Sequence, residues 1–298
     1  MKVRASDYRF SWSLRRRRLW NGCRRRYFLT YYAPRGGHDP AAEPALRRLH
    51  LAKSLFSRDG YCNYLLRTTM RELFYRRNEE EDTSTAPDLR SRVLHAFARD
   101  FNRMLLGFWQ EDHRVPMLRE LLQSGAAPEA VRREVETQLK ESAVALEQDG
   151  WGEFQRFPAE CRRPLPSPLE VPLGELSCWC SPCFALASGR ELWLVESESD
   201  ASPEAALLHK FYALNTCRIP PEQVRSFRLD CRDGSVTEFG GDLNISAALA
   251  GIRADAGAMQ QAIRPDGTVA EEDFPADTTR CANCPFPGCC AAFLSATH

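Results

Sequence analysis

The residues best suited to chemistry lie near the end of the chain, in "RCANCPFPGCC", which holds Cys281, Cys284, Cys289 and Cys290. A C-x-x-C spacing lets one turn present two thiolates to one metal centre, and Cys289 or Cys290 supplies a third. Core packing does not account for the pattern, because Pro285, Pro287 and Gly288 prevent a regular element there. Zinc takes four tetrahedral N or S ligands; a [4Fe–4S] cluster takes four thiolates, one of which can be remote. Adjacent Cys289 and Cys290 make four ligands from the tail alone a strained set. A distant fourth is expected, and Cys23, inside a basic N-terminal segment, is the candidate. A second stretch, "ELWLVESESD", reads as a strand running into acids. Glu196 and Glu198 are two residues apart and share one face of an extended chain. A metal site, the remnant of one and a plain polar strand end all fit that pattern.

The elements that must hold these residues can be read from composition and periodicity. The 298 residues are 43% hydrophobic and 27% charged, as in a globular protein with a core. No run of about 18 apolar residues predicts a membrane span, and no apolar stretch follows the basic start as a secretory signal requires. A cytoplasmic location without membrane association is the resulting expectation. Disulfides are disfavoured there, so clustered members of the 12 cysteines point to ligation. Cys62, Cys161, Cys217 and Cys231 are scattered and read as small core residues. Net charge is zero, yet residues 1–35 carry eleven Lys or Arg against one acid, Asp7. That basic end suits a polyanion or, equally, a helix whose arginines are solvated or paired with acids elsewhere.

Residues 8–32 predict a short entry and then one helix, ended by "APRGGHDP". A second helix is expected over about 43–77, a charged linker over 78–87, and further helices over 88–148. From about residue 153 strand-like pieces follow: "EFQRF", "LEVPLGELSCWCSPCFALAS" and "RELWLVESE", with Gly174 and Gly189 at turns. "SPEAALLHKFYALNTC" predicts a helix capped by Ser202 with Pro203 in its first turn. A strand, a turn at Asp233-Gly234, another strand and a final helix starting near Asn244 or Ser246 complete the chain. The six histidines form no H-x-x-x-H pair and read as surface or capping residues. Trp12, Trp20, Tyr27, Phe28, Tyr31 and Tyr32 interleave with arginines, an arrangement that suits helix packing first and base stacking second.

"FSWSLRRRRLWNGCRRRYFLTYY", Phe274-Pro275 and "CANCPFPGCC" together resemble the PD-(D/E)XK nuclease superfamily, in its RecB/AddB-like branch with an iron–sulfur staple. The resemblance implies one cysteine before the nuclease core and three after it in C-x2-C-x5-C spacing. Cys23, Cys281, Cys284 and Cys290 fit, leaving Cys289 spare. It further implies a single restriction-endonuclease-like α/β domain over 1–298, with a mixed central sheet flanked by helices. Within it, 1–42 would be the basic helix, 43–150 a helical insertion, 151–242 the α/β core, and 243–298 the last helix and cysteine motif. In an active member two carboxylates bind Mg²⁺ or Mn²⁺, and a lysine two residues after the second acid positions the attacking water. Here Pro182-Cys183 stands where the first acid belongs, Glu196-Ser197-Glu198 stands where the second acid and lysine belong, and "KFYAL" matches the following helix. Tyr64, four residues after Gly60, stands where some members carry histidine. A thiol is a poor Mg²⁺ ligand. Glutamate in place of lysine reverses a charge beside phosphate, worth several kcal/mol at about 4 Å in a partly buried site.

The expectation is a catalytically degenerate nuclease-like domain with a [4Fe–4S] cluster that binds DNA or acts as a scaffold in DNA processing or repair. A helicase or other repair protein would be its partner, and Arg15, Arg16, Arg17, Arg18, Arg24, Arg25 and Arg26 would meet the phosphates. The alternatives are an active metal-dependent DNA nuclease using Glu196 and Glu198, and a zinc-bound protein-interaction module.

Overall fold

The computed structural model describes residues 2–4, 10–76, 88–112, 114–123, 125–166, 168–197, 201–286 and 290. The predicted linker over 78–87 lies outside them. In chain order the regular elements are β1 (Lys2–Arg4), β2 (Ser11–Ser13), α1 (Leu14–Gly22), α2 (Arg24–Tyr31), α3 (Pro44–Ala52), β3 (Leu55–Phe56), α4 (Arg58–Arg76) and α5 (Leu89–Leu105). Next come β4 (Met117–Leu118), α6 (Arg119–Gln123), α7 (Pro128–Gln148), α8 (Gly150–Gln155), β5 (Arg162–Arg163), β6 (Leu169–Leu173), β7 (Leu176–Cys180) and β8 (Phe184–Ser188). The chain continues through β9 (Glu191–Ser197), α9 (Pro203–Tyr212), β10 (Val224–Leu229), β11 (Val236–Phe239), α10 (Ile245–Gln261) and β12 (Thr268–Ala270). This is a mixed α/β protein. No described helix is long and apolar enough to cross a membrane.

The chain forms two compact units, each assembled from separated segments: Met1–Tyr61, Asp100–Pro128 and Arg253–His298 in one, Cys62–Arg99 and Glu129–Ile252 in the other. The second unit is built on a five-stranded sheet in the order β11-β10-β9-β8-β5. The run Leu192, Leu194, Val195 makes β9 apolar enough to be buried between neighbours, and it is the central strand. It pairs antiparallel with β8, Phe184 opposite Val195, and parallel with β10, Ser226 opposite Leu194. Parallel neighbours need a crossover, and α9 provides it, as the Ser202 cap and Pro203 predict: the Ser202 hydroxyl accepts the Ala205 N–H at 3.2 Å. α9 packs on β10 and on the β6–β7 hairpin, which turns at Gly174 as expected. An aromatic core joins Phe74 to Phe184 (centroids 4.7 Å apart), Phe184 to Phe154 (5.1 Å) and Phe184 to Trp151 (5.4 Å).

In the first unit β1 pairs with β12 and β3 with β4. Its core gathers Trp20, Tyr27, Phe28 and Tyr32 around Phe274, with Phe286 and Cys290 in the same cluster. Two helix expectations change here. The predicted single helix over 8–32 is two helices, broken at Cys23, whose φ of −153° and ψ of 110° are extended. The helix expected over 43–77 is interrupted because Leu55 and Phe56 leave it to pair with Met117 and Leu118. In the second unit "EFQRF" is not a strand: α8 runs into it and ends at Gln155, with Trp151 and Phe154, three residues apart, turned to one buried face.

The turn at Asp233-Gly234 forms as predicted, although with a six-residue loop in which the Asp230 N–H bonds the Ser235 carbonyl at 3.0 Å. Gly234 adopts φ +75°, and a Cβ there would lie 2.4 Å from the Ala145 carbonyl oxygen of α7. Gly174 has φ +68° with nothing within 4 Å of its absent Cβ. Gly174→Ala should therefore cost only the left-handed backbone term, roughly 1–2 kcal/mol. Gly234→Ala should cost clearly more, because backbone meets backbone. Urea denaturation checks the order of the two, and equal losses would contradict the close packing of the turn on α7.

Candidate metal centres

Cys23 is the residue on which the first centre turns. Because the helix breaks there, one residue ends α1 and caps α2, and its Sγ accepts the Arg26 N–H at 3.4 Å. The same sulfur accepts the backbone N–H of Asp277, 254 residues away, also at 3.4 Å. The tail is thus laid against the first helix pair, and Arg25 reinforces it: its backbone N–H bonds the Pro275 carbonyl (3.1 Å), its Nε bonds the Phe274 carbonyl (2.8 Å), and its guanidinium pairs with Glu271. Beyond Asp277 a short 3-10 segment delivers Cys281, with the Cys284 N–H bonded to the Cys281 carbonyl at 3.0 Å. Cys290 is buried in the aromatic cluster and Cys284 packs at its border.

The thiols interact. Burial pushes the Cys281 thiol up, and Cys290 and then Cys23 add to the shift. Burial pushes Cys284 up most, against a hydrogen bond from Phe286 and the charge of Arg26, with Cys23 and Cys290 again raising it. Desolvation lowers Arg26 first, while Cys284 and Cys23 act in the opposite direction. Cys23, Cys281, Cys284 and Cys290 thus share one neighbourhood and are the residues that would hold a thiolate-bound metal or cluster there. Among the described residues they do not form a group with ligand atoms all within 4.8 Å of one another, as the group in the other unit does. Cys289 lies outside the described residues.

The arginines divide. Arg16 is buried, its guanidinium 4.3 Å from the Tyr31 ring centroid and 5.4 Å from Phe10. Arg17 pairs with Asp255 at 3.0 Å, and Arg25 is committed to the tail. Arg15, Arg18 and Arg24 are exposed, Arg24 stacking over Trp20 at 4.6 Å.

The second centre lies in the other unit. Glu196, next to last in β9, is 0% exposed, and so is His209 of α9. His209 Nε2 lies 3.0 Å from Glu196 Oε1, and His209 Nδ1 lies 2.9 Å from the Ser226 hydroxyl on β10. Cys180, at the end of β7 and 5% exposed, completes a group whose ligand atoms all lie within 4.8 Å of one another. Cys183 immediately precedes β8, is buried, and donates its N–H to the Val195 carbonyl at 2.6 Å, while the β8–β9 pairing starts one residue later with Phe184 opposite Val195. Tyr64 sits on the exposed side of α4, at 41%. Glu198 lies outside the described residues. Lys210, the next residue after His209, points elsewhere and bonds the Pro221 carbonyl at 3.0 Å.

His209 corrects the surface reading of the histidines, and buried His50 does so too. The physical reason is the helix face. Ala205, Ala206, His209 and Tyr212 recur at three- and four-residue steps and are buried, and His209 reaches Glu196 of β9 and Ser226 of β10, so it lies on the face toward the sheet. A titratable residue on an otherwise apolar stripe was the available signal. Cys180 had none in the sequence, since its approach depends on how the β6–β7 hairpin folds. Of the scattered cysteines Cys62 and Cys231 are buried as expected, whereas Cys161 is half-buried and Cys217 is exposed. No protein-family model matches the chain, and none of the curated proteins compared with it shows significant similarity.

His209→Leu removes the imidazole from a fully buried carboxylate. Loss of a partner at such a group costs roughly 1–3 kcal/mol, and more when it is charged. The variant should lose at least about 2 kcal/mol in a denaturant titration, and adding Glu196→Gln should recover part of that loss. If the double variant is no more stable than His209→Leu, the two side chains are not coupled.

Proposed function

We propose that the chain is a catalytically degenerate PD-(D/E)XK-type domain, stapled by a [4Fe–4S] cluster on Cys23, Cys281, Cys284 and Cys290, that binds DNA or a protein partner in DNA processing. The observation that carries this reading is the Cys23–Asp277 contact, a sulfur at a helix break meeting the segment that leads into the cysteine tail. The central strand with an acid near its end, the α9 crossover and the parallel return strand support a nuclease-like sheet. Cys183 where an acid is needed, with imidazole rather than ammonium beside Glu196, supports the loss of ordinary Mg²⁺-dependent cleavage. Arg15, Arg18 and Arg24 are exposed and would meet a phosphate backbone, with Arg18 Nε also bonding the Leu14 carbonyl at 3.4 Å and Arg24 stacked over Trp20.

The anaerobically purified protein should carry about four iron and four sulfide per chain, with broad visible absorption. Cys23→Ser should lose both and, by opening a loop far longer than 100 residues, destabilise the fold by on the order of 3–5 kcal/mol. Colourless protein holding zinc on these thiols would overturn the cluster. Cleavage of DNA in Mg²⁺ or Mn²⁺, abolished by Glu196→Ala, would overturn the degenerate reading.

Duplex binding should weaken steeply as salt rises, and the double variant Arg15→Ala/Arg24→Ala should reduce the logarithmic salt slope by about 2. An unchanged slope would remove these arginines from the interface.

A further inference from the structure

We propose that Cys180, Glu196 and His209 form a second, separate metal site, one that takes a zinc-class divalent ion rather than Mg²⁺. The three residues come from different elements, the β6–β7 hairpin, the central strand and the crossover helix, yet their sulfur, oxygen and nitrogen atoms converge within 4.8 Å of one another. All three are more than nine-tenths buried. A buried Glu–His pair needs only a hydrogen bond to be satisfied; it does not need a thiol aimed at the same point. The sulfur is what turns the pair into a ligand set.

The donor chemistry selects the ion. A thiolate and an imidazole suit zinc and disfavour magnesium, which prefers oxygen ligands and retains water. Around a tetrahedral zinc, N and O ligands at about 2.0–2.2 Å sit a little over 3 Å apart. The 3.0 Å between His209 Nε2 and Glu196 Oε1 is close to such an edge. The ion would take the place of the proton shared by those two atoms.

Ser226 completes the arrangement. An imidazole bound to metal through Nε2 carries its proton on Nδ1, and a hydroxyl 2.9 Å away can accept it. Metal-bound histidines commonly hold their second nitrogen in this way, which fixes the ring and the tautomer. Three protein ligands leave a fourth position for water or another small donor.

The site stands on residues independent of the cysteine tail, so the two centres can be tested apart. Full-length protein purified anaerobically is analysed for zinc and iron separately, then stripped of zinc and titrated with Co²⁺. The expected result is about one zinc per chain, and a cobalt spectrum with tetrahedral d–d bands and the charge-transfer intensity of one thiolate. Cys180→Ser should abolish the charge-transfer band and weaken binding at least tenfold. Ser226→Ala should keep the band and weaken binding by about 10–100-fold. Cys281→Ser/Cys284→Ser should leave the spectrum intact.

Wild-type protein that holds neither zinc nor cobalt overturns the proposal. So does a spectrum unaffected by Cys180→Ser and His209→Gln, or one with four thiolates that disappears with the tail cysteines. The wild-type spectrum decides by itself if a variant fails to fold. Iron content is read independently: iron without the mixed-ligand cobalt signal sinks this site alone, and the signal without iron sinks the cluster alone.

Discussion

A carboxylate with no access to water is the constraint around which the larger sheet is organised. Glu196 occupies the central strand, and removing such a group from water is costly unless a donor or cation faces it. The fold meets that requirement from above, through α9. The helix must start at Ser202, cross β10 and face the sheet with the stripe that carries His209, and the parallel β9–β10 pairing is what makes such a crossover necessary. Imidazole is then held from both sides, by Glu196 and by Ser226 of the return strand. Sheet order, crossover and side-chain chemistry are therefore one solution to one problem.

The other unit rests on a different device, a kink. A continuous helix through residue 23 would bond its own backbone groups and bury or splay the cysteine according to helical phase alone. The extended Cys23 instead leaves the first N–H groups of α2 needing acceptors, and the sulfur meets one of them. Once turned this way it also meets Asp277. The surrounding arginines explain why the segment is so basic without being simply a nucleic-acid patch. Arg16, Arg17 and Arg25 stack, pair and clamp inside the unit, tasks that suit a planar guanidinium better than an ammonium.

Local chemistry made much of this legible before any coordinates. The β9 strand, the capped α9, the Gly174 hairpin and the Asp233-Gly234 turn follow from apolar runs and from residues with one dominant conformational role. Ligand arithmetic singled out the cysteine tail and Cys23, and the structure brings the Cys23 sulfur to the Asp277 N–H. What escaped was set by contacts far apart in sequence. Nothing within residues 8–32 says that the helix must stop at Cys23, where the sulfur meets the backbone of Asp277. "EFQRF" alternates enough to resemble a strand, and the demand of the aromatic core for Trp151 and Phe154 on one face decides otherwise. Cys180 and Glu196 are brought together only when a hairpin and a sheet share one helix as their cover.

Under the proposed reading Cys183 and Glu198 are departures from a nuclease-like pattern, and the surroundings of Glu196 bear on both. A buried carboxylate without a partner is costly, and an apolar side chain would be the simplest remedy at such a position. Here the carboxylate has imidazole at hydrogen-bond distance and a thiol close by. Magnesium asks for oxygen ligands and retained water, whereas a thiol and an imidazole suit a softer ion. Hard-cation catalysis and soft-cation binding impose different demands on a strand end, and the zinc-class site proposed above rests on the second set.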